Sequence, residues 1–281
     1  MTLRLGWFST GRGETSRKLL AAAQEEIAAG RLDAGIAAVF CNREPGEDPN
    51  TDAFIAQVRE YGLPLVCLSS SRYRREHGGL AARKGEALPE WRRDYDRAVM
   101  RLLAPYPFDL GMLAGYVLIF CEEASNRYDL LNLHPAAPAG PKGMWQDVIW
   151  ELIATGANRA GVMIHLATPQ LDEGPPVTYC TYPIRGPVFD AHWRDVAGRG
   201  LAAIRSSEGE AHPLFAEIRR HGVAREVPLV LETLRAFAEG RAGIADKRVV
   251  DAEGHVIEGY DLTEEIERVI AAQRGLSPAP G

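Results

Sequence analysis

Residues 3–41 read LRLGWFSTGRGETSRKLLAAAQEEIAAGRLDAGIAAVFC, and this stretch decides the fold. Apolar runs at 3–9 and 35–41 predict two buried strands, and residues 15–29 between them are helix formers that end at Gly30. A strand, a helix and a second strand in this order form a βαβ unit, so the two strands run parallel. The fold therefore begins as a parallel sheet covered by helices.

The same alternation of apolar runs and helical stretches continues along the chain. Further strands are predicted near 64–68, 109–114, 129–134, 161–167 and 176–182, and further helices near 51–61, 90–103, 145–155 and 190–206. Repeated βαβ units place helices on both faces of the sheet. The pattern predicts the α/β class, with a doubly wound, mostly parallel, Rossmann-like sheet.

The last third of the chain has fewer strand signals. VPLVLETLRAFAEGRAG, residues 227–243, predicts one amphipathic helix that ends at glycine. RVVDAEGHVIEGY, residues 248–260, predicts a hairpin with Glu253 and Gly254 at its turn, and a final helix is predicted at 262–274.

These signals predict two domains of unequal size. We expect a catalytic domain at 1–243 and a small C-terminal extension, a hairpin plus a helix, at 244–281. The sequence leaves open whether this extension forms a homodimer contact or covers the site, and whether the insertion at 70–90 is a lid.

Composition indicates a soluble globular protein and excludes several classes. Of the 281 residues 46% are hydrophobic and 25% charged, and the net charge of -6 argues against binding nucleic acid by general attraction. The basic runs at 72–77 and 91–96 are expected to be solvated surface. No apolar stretch is long enough to span a bilayer and no signal peptide is evident, so we expect a cytoplasmic protein without a membrane partner.

The cysteines are scattered and share an apolar, strand-like context. They are Cys41, Cys67, Cys121 and Cys180. Because no CxxC pair is present, the pattern favours reduced core thiols and no metal site.

The loop between the first strand and the first helix is a candidate anion site. Glycines before a helix aim backbone N–H groups and the helix N-terminus at a negative group. The candidate substrate-binding residues of this loop are Gly11, Arg12, Gly13, Glu14 and Thr15. The motif is not specific, since Ser16 stands where a dinucleotide fingerprint has its third glycine. A tight turn is the alternative, and Glu14 argues against a phosphate.

Polar residues interrupt the strand at 129–134 just before its end. Asn132 and His134 are two apart on an extended strand, so their side chains share one face, while Leu131 and Leu133 share the other. An amide that can donate, beside an imidazole that can give and take a proton, suits a reaction through a tetrahedral oxyanion. Acyl or formyl transfer fits that description.

Asp172, in the turn-rich segment QLDEGP at 170–175, is a third candidate. Since the ends of parallel strands meet at one edge, its carboxylate could orient the imidazole of His134 and stabilise the imidazolium. No serine, threonine or cysteine elbow accompanies this set, which suggests that the substrate supplies the nucleophile. The alternatives are a structural histidine and an ordinary Asp-Glu-Gly-Pro turn.

Three segments resemble, in order and spacing, the folate-dependent formyltransferases. They are LAGYVLIF at 113–120, NLHPA at 132–136 and VMIHLATPQLDEGPPV at 162–177. The likeness runs over about residues 3–240 and is closest to the glycinamide ribonucleotide formyltransferases. It implies a Rossmann-like formyltransferase fold and transfer of a formyl group from 10-formyltetrahydrofolate to a small-molecule amine, in purine biosynthesis and without a metal.

The resemblance also implies a role for each matching residue. Asn132 would hydrogen-bond the formyl oxygen and the oxyanion, His134 would be the general acid/base, and Asp172 would orient His134 and assist proton transfer. The residues implied for the folate are Tyr116, Val117, Leu118, Ile119, Phe120, His165, Leu171, Glu173 and Gly174.

Departures from the family pattern leave the acceptor open. The glycine loop is one residue longer and carries Glu14, and Leu118 replaces an arginine. Lys142, in PAAPAGPKGMW, is new to the pattern. It is a candidate contact for the glutamate tail of folate or for an anionic acceptor, or else an exposed loop lysine. The family's ribose-binding glutamate has no clear counterpart.

Two other functions compete with formyl transfer to an amine. One is hydrolysis of 10-formyltetrahydrofolate, which would use the same three residues, although the deformylases carry an N-terminal regulatory domain and this sequence starts in the first strand. The other is an inactive folate- or nucleotide-binding module, which has no evident need for Asn132, His134 and Asp172 together.

Overall fold

The computed structural model describes residues 2–79, 88–170 and 173–276. The strands are β1 Leu3–Ser9, β2 Ala34–Cys41, β3 Leu65–Cys67, β4 Leu110–Leu113, β5 Leu130–His134, β6 Arg159–Leu166, β7 Pro176–Pro183, β8 Ala242–Ala245, β9 Arg248–Asp251 and β10 Tyr260–Asp261. The α-helices are α1 Glu14–Ala28, α2 Pro49–Glu60, α3 Ser70–Glu76, α4 Glu90–Leu103, α5 Glu122–Arg127, α6 Trp145–Ala154, α7 Asp190–Arg199, α8 Leu201–Ser207, α9 Pro213–Ala238 and α10 Thr263–Leu276. A 3₁₀ turn at Gly209–Ala211 precedes α9.

Eight strands form one sheet in the order β10-β7-β6-β5-β4-β1-β2-β3. The pairs β1–β2, β2–β3, β1–β4, β4–β5 and β7–β10 are parallel, and β6–β7 is antiparallel. The predicted α/β fold with a mostly parallel sheet is confirmed. Because β1 to β5 run parallel, their carboxyl ends share one edge, which is where ligands bind in such sheets.

Local signals explain where the helices of the first half begin. Asp48 caps α2 by accepting hydrogen bonds from the N–H groups of Asn50 and Thr51, and Pro49 occupies the first helical position. Ser69 caps α3 by accepting from the N–H of Arg72. Both caps lie between a strand of the parallel sheet and the helix that follows it, Asp48 between β2 and α2 and Ser69 between β3 and α3.

The chain divides into two compact units. The first comprises residues 1–132, 166–175 and 234–257. Its core is aromatic: Phe8 packs against Phe40 at 5.9 Å between ring centroids and edge-on against Phe120 at 5.7 Å. Edge-to-face packing of this kind adds to the free energy gained by burying the rings.

The second unit comprises residues 133–165, 176–233 and 258–281. In α9, whose residues up to Thr233 belong to this unit, Phe215 packs against Trp150 at 4.8 Å between ring centroids. The hydroxyls of Thr178 in β7 and Thr233 in α9 lie 2.6 Å apart and are fully buried. The helix is therefore fixed to the sheet by both apolar and polar contacts.

Several elements differ from their prediction. The helix predicted at 190–206 is broken at Gly200, which has φ +83°. The helix predicted at 227–243 is α9, which starts at Pro213 and ends at Ala238 with Pro228 inside it. A proline is usually read as a helix start or stop, and here tertiary packing overrides that signal. The short helices α3 and α5 were not predicted.

The segment predicted as a hairpin, residues 248–260, makes more strand pairings than predicted. β8 and β9 form the hairpin, with Asp246 and Lys247 at positive φ in its turn. The turn predicted at Glu253 and Gly254 is present: the N–H of Gly254 donates to the carbonyl of Asp251 at 3.1 Å, and Val250 and Val256 form an antiparallel bridge. Tyr260, predicted in the second arm of the hairpin, instead pairs in parallel with β7 as part of β10. The boundary at residue 243 stays a prediction.

No helix among the described residues is both long and apolar enough to cross a membrane. All four cysteines are free thiols, as predicted. Burial raises the pKa of Cys41 and of Cys180 to about 12, so both are packing residues rather than nucleophiles.

Candidate functional site

A cleft of about 330 Å³ opens in the first unit after the ends of β1, β2 and β3. Its charged lining consists of three arginines, Arg12, Arg43 and Arg75, and of Glu47. Arg43 forms a salt bridge with Asp48, with Nη1 and Oδ2 3.1 Å apart. The carboxylate of Glu47 accepts a hydrogen bond from the hydroxyl of Ser69. Positive charge therefore predominates in this cleft.

The glycine loop after β1 forms a tight turn beside the cleft. Gly11 has φ +66°, and a Cβ there would lie 3.2 Å from the ring of Phe54, so the turn requires glycine. The N–H of Gly11 donates to Ser9 Oγ at 3.0 Å, so this donor of the predicted anion cradle is already used. Glu14 is the first residue of α1 and pairs with Lys18 at 3.0 Å on the surface.

The segment predicted to bind folate, 116–120, has side chains facing in two directions. Tyr116 and Phe120 are buried and stack on each other with centroids 5.0 Å apart. Burial raises the pKa of the Tyr116 phenol. Val117, 58% exposed, and Leu118 line the cleft, and the N–H of Val117 donates to Thr10 Oγ1 at 3.2 Å. The predicted folate segment and the glycine loop therefore adjoin one cleft.

Helix α4 fixes the backbone of this segment through a buried ion pair. Arg92 and Asp96 are 1% and 0% exposed, with Nη1 and Oδ1 3.0 Å apart. Arg92 Nη2 donates to the carbonyl of Ile119 at 2.7 Å, and Asp96 accepts from the N–H of Cys121 at 2.7 Å. Burial raises the pKa of Asp96, and the adjacent Arg92 opposes that shift.

Asn132 and His134 lie two residues apart in β5, as predicted. Leu131 and His134 are buried, and Asn132 and Leu133 are half-buried. Asn132 pairs in register with Leu113 of β4. Side chains two apart on a strand point to the same face, so the amide and the imidazole belong to one side of the sheet.

The imidazole of His134 is held by the loop that follows it. Nε2–H donates to the carbonyl of Pro141 at 2.9 Å. His165 of β6 lies edge-on to His134, with ring centroids 6.1 Å apart, and both rings are 2% exposed. The two histidines therefore form a buried pair in the second unit.

Close packing in the second unit supports this loop. A Cβ on Gly161 of β6 would lie 2.8 Å from the Cβ of Ala137, so the strand accepts the loop only because residue 161 is glycine. Lys142 is exposed in the same loop. This placement agrees with either reading of Lys142 given above.

The remaining predicted residues follow β6. A Cβ on Gly174 would lie 1.6 Å from the carbonyl oxygen of Leu166, so the turn requires glycine there. Glu173 is exposed. Leu171 and Asp172, predicted to bind folate and to orient His134, lie outside the described residues.

A group of ligand-type side chains occurs at the turn after β9. Asp251, Glu253 and His255 have ligand atoms within 4.8 Å of one another. The Asp251 carboxylate already accepts from the N–H groups of Glu253 and His255, and these contacts lower its pKa. The cluster is accounted for as a turn stabilised by its own carboxylate.

Sequence reasoning missed the polar residues after β2 and β3. Asn42 and Arg43 directly follow β2, and Arg75 lies in the unpredicted helix α3. The strand-end rule that identified Asn132 would also have identified Asn42. Arg75 sits in the run at 72–77, which was assigned to solvated surface.

Comparisons with known proteins agree with this architecture. The sequence profile described as formyl transferase matches residues 7–186. No curated protein sequence matches the chain significantly. Among solved structures, glycinamide ribonucleotide transformylase 1 from Symbiobacterium toebii is similar with TM-score 0.60 and 22% identity, over 88% of this chain and 93% of that one.

Two further structures represent two activities on this fold. Phosphoribosylglycinamide formyltransferase from Coxiella burnetii has TM-score 0.64 and 18% identity, covering 93% of this chain and 99% of that one. Formyltetrahydrofolate deformylase from Burkholderia mallei has TM-score 0.59 and 18% identity, covering 89% of this chain and 70% of that one. At such identities these structures establish the fold and leave the acceptor open.

Proposed function

The chain belongs to the formyl transferase family and is an enzyme of that class, and we propose that it transfers the formyl group of 10-formyltetrahydrofolate to an amine. The acceptor we propose is glycinamide ribonucleotide or a related amine, in cytosolic purine biosynthesis. The observation that carries the proposal is the pairing of Asn132 with His134 in β5, with the imidazole held through Nε2 by the carbonyl of Pro141.

In the proposed reaction the amine nitrogen attacks the formyl carbon. The formyl oxygen takes up the negative charge of the tetrahedral intermediate, and the amide N–H of Asn132 stabilises that charge. The imidazole of His134 accepts the proton that the amine loses and gives it to N10 of the folate as the bond from N10 to the formyl carbon breaks. The products are the formylated amine and tetrahydrofolate, so atoms and charge balance without a metal or an enzyme nucleophile.

The segment 116–120 is our proposed folate contact. The guanidinium of Arg92 donates to the carbonyl of Ile119, and Thr10 Oγ1 accepts from the N–H of Val117. Leu118 makes no backbone hydrogen bond within the described part of the chain, so its N–H and C=O can pair with the edge of a heterocycle. The side chains of Tyr116 and Phe120 act as support from the core beneath it.

Hydrolysis of the donor is the second candidate, because deformylases share the fold. Water would replace the amine, and Asn132 and His134 would serve unchanged. An inactive binding module is the third, and the retained pair in β5 argues against it.

The test is to mix the full chain with 10-formyltetrahydrofolate and candidate amines and to follow tetrahydrofolate release. We expect release that depends on the amine, with glycinamide ribonucleotide the first to try. Release that is the same with and without amine would support hydrolysis. Folate binding without turnover on any amine or water would support the binding module.

A further inference from the structure

The backbone of the segment 116–120 forms no helix or strand, so its polar groups need partners from elsewhere in the chain. Helix α4 supplies two of them. Arg92 Nη2 donates to the carbonyl of Ile119 at 2.7 Å. Asp96 Oδ2 accepts from the N–H of Cys121, the residue after the segment, also at 2.7 Å. The conformation of the proposed folate contact therefore depends on two side chains that lie 27 and 25 residues away in sequence.

The ion pair between Arg92 and Asp96 has an unusual geometry. Its two atoms, Nη1 and Oδ1, lie 3.0 Å apart, yet neither makes a directed hydrogen bond within the described structure. The well-directed hydrogen bonds of the two side chains go instead to the backbone of Ile119 and Cys121. The two groups neutralise each other, and their directional bonding is used to hold the segment.

The guanidinium of Arg92 is also fixed in orientation by aromatic rings. Its Cζ lies 5.5 Å from the ring centroid of Trp91 and 5.2 Å from that of Tyr95. The hydroxyl of Tyr95 donates to the carbonyl of Leu68 at 2.7 Å, so this ring is itself held in place. Cation–π contacts of this kind are strongest where the charge is removed from water, and the side chain of Arg92 is 2% exposed.

Stability alone does not account for this buried pair. Removing two charges from water costs free energy that their attraction only partly returns, and apolar side chains of similar volume often stabilise a fold equally well. Apolar side chains cannot, however, donate to a carbonyl or accept from an N–H. The contribution specific to a charged pair at this place is the fixed position of the backbone at 119–121.

We propose that Arg92 and Asp96 are positioning residues for the formyl donor. They hold the backbone at 119–121 so that Leu118 presents its N–H and C=O to the heterocycle of the folate. The inference rests on the proposed function and concerns the donor alone. Since both side chains are almost fully buried, they act through the backbone of the segment. The pair therefore sets the affinity for folate and leaves the affinity for the amine unchanged.

A double variant of the full chain separates positioning from stability. Arg92→Met/Asp96→Leu removes both charges together, so no buried charge is left unpaired, and the free energy of unfolding in urea should stay near that of wild type. Isothermal titration calorimetry with tetrahydrofolate should show Kd about tenfold higher, because the two backbone hydrogen bonds are lost. The KM for 10-formyltetrahydrofolate should rise in parallel, and the KM for the amine should not change.

A single variant answers the same question if the double variant does not fold. Arg92→Lys keeps a positive charge beside Asp96, but one ammonium group lacks the fork that serves both the carboxylate and the carbonyl of Ile119. Its Kd for tetrahydrofolate should lie between those of wild type and the double variant. A Kd equal to that of wild type in Arg92→Lys, or in a folded double variant, would overturn the proposal.

The surface of the same helix supplies the matched control. Arg97 pairs with Glu123 at 2.7 Å, and the two side chains are 48% and 53% exposed. Arg97→Met/Glu123→Gln also removes an ion pair of α4, but neither residue bonds to the backbone of the segment. Its Kd for tetrahydrofolate should stay within about twofold of wild type. Equal losses of affinity in the two double variants would overturn the proposal.

These measurements separate the inference from the proposed function. If tetrahydrofolate binds and its Kd responds as expected, but no amine is formylated, the positioning role stands and the proposed transfer fails. If amines are formylated and the Kd of the double variant equals that of wild type, the positioning role alone fails. If the wild-type chain does not bind tetrahydrofolate, the proposed function fails and the positioning role fails with it.

Discussion

The cleft of the first unit and the histidine pair of the second differ in almost every physical property. The cleft is open, and its arginines Arg12 and Arg75 are exposed and permanently charged. His134 and His165 are 2% exposed, and their rings pack edge-on with centroids 6.1 Å apart. One region is therefore an open, charged surface, and the other is a buried pair of polar rings.

Replacing His134 should cause the largest loss of activity. His134→Gln keeps a polar side chain of similar length but cannot transfer the proton, so kcat should fall by about 10²- to 10⁴-fold. Steady-state kinetics of tetrahydrofolate release would measure this. His212, also buried but bonded to Asp195, is the control: His212→Gln should lower stability and leave kcat near wild type. Full activity in His134→Gln would remove His134 from the mechanism.

Replacing Arg92 should cause the largest loss of stability within the first unit. Arg92→Met leaves Asp96 buried without its partner and should lower the free energy of unfolding by about 3–5 kcal/mol, measured by urea denaturation. Arg97 on the same helix pairs with Glu123 at the surface, so Arg97→Met should leave the free energy of unfolding almost unchanged. Similar losses in both variants would show that the buried pair has no special structural role.

Asn132 tests whether charge in the transition state is stabilised at β5. Asn132→Ala removes the proposed oxyanion donor and should lower kcat by about 10²- to 10³-fold. The KM for the donor should change little, because the amide acts on charge that develops only during the reaction. A large rise in KM at constant kcat would reassign Asn132 to ground-state binding.

Acid should act on the first unit through Glu26. A hydrogen bond from Arg31 lowers the pKa of Glu26 below its usual 4.5. Burial raises this pKa, and a second hydrogen bond, from Arg235, lowers it further. Because the carboxylate of Glu26 binds a proton more readily in the unfolded chain, its ion pairs stabilise the fold fully above pH 4.5. This stabilisation is lost as pH falls through the lower pKa of the folded state. Glu26→Gln should therefore decline less in stability upon acidification than wild type.

The neighbouring exposed residue supplies the control for this small effect. Glu25→Gln changes the same charge on the same helix without the two arginine hydrogen bonds, and should follow the wild-type decline. Urea titrations at several values between pH 3 and pH 6 would compare the three proteins. Parallel curves for all three would exclude Glu26 as a source of the acid sensitivity.

The sequence predicted the sheet well because strand and helix periods are local signals. The segments from β1 to β7 were placed within a few residues of their ends, and Asn132 and His134 were recognised at the end of β5. The sequence did not predict elements whose bounds or partners depend on tertiary packing. Helix α9 continues through Pro228, and Tyr260 pairs with β7 rather than within a hairpin. Local reading could not resolve these because their stability comes from distant parts of the chain.

The candidate site likewise contains some residues that the sequence predicted and others that it did not. Asn132 and His134, the residues proposed for the chemistry, lie in one regular strand, so their spacing predicts a shared face. Arg75 lies in a short helix fixed by the cap at Ser69, and Arg92 acts through the backbone of Ile119, far away in sequence. Such contacts have no sequence period. The roles of Asp172 and Leu171 remain predictions from the sequence.

The central claim is transfer of a formyl group to an amine through His134. The most direct measurement uses donor labelled at the formyl carbon and follows the label into either the amine or free formate. We predict label in the amine, release of one tetrahydrofolate for each amine formylated, and loss of both in His134→Gln. Label recovered as formate whatever amine is present, or undiminished transfer in His134→Gln, would contradict the account.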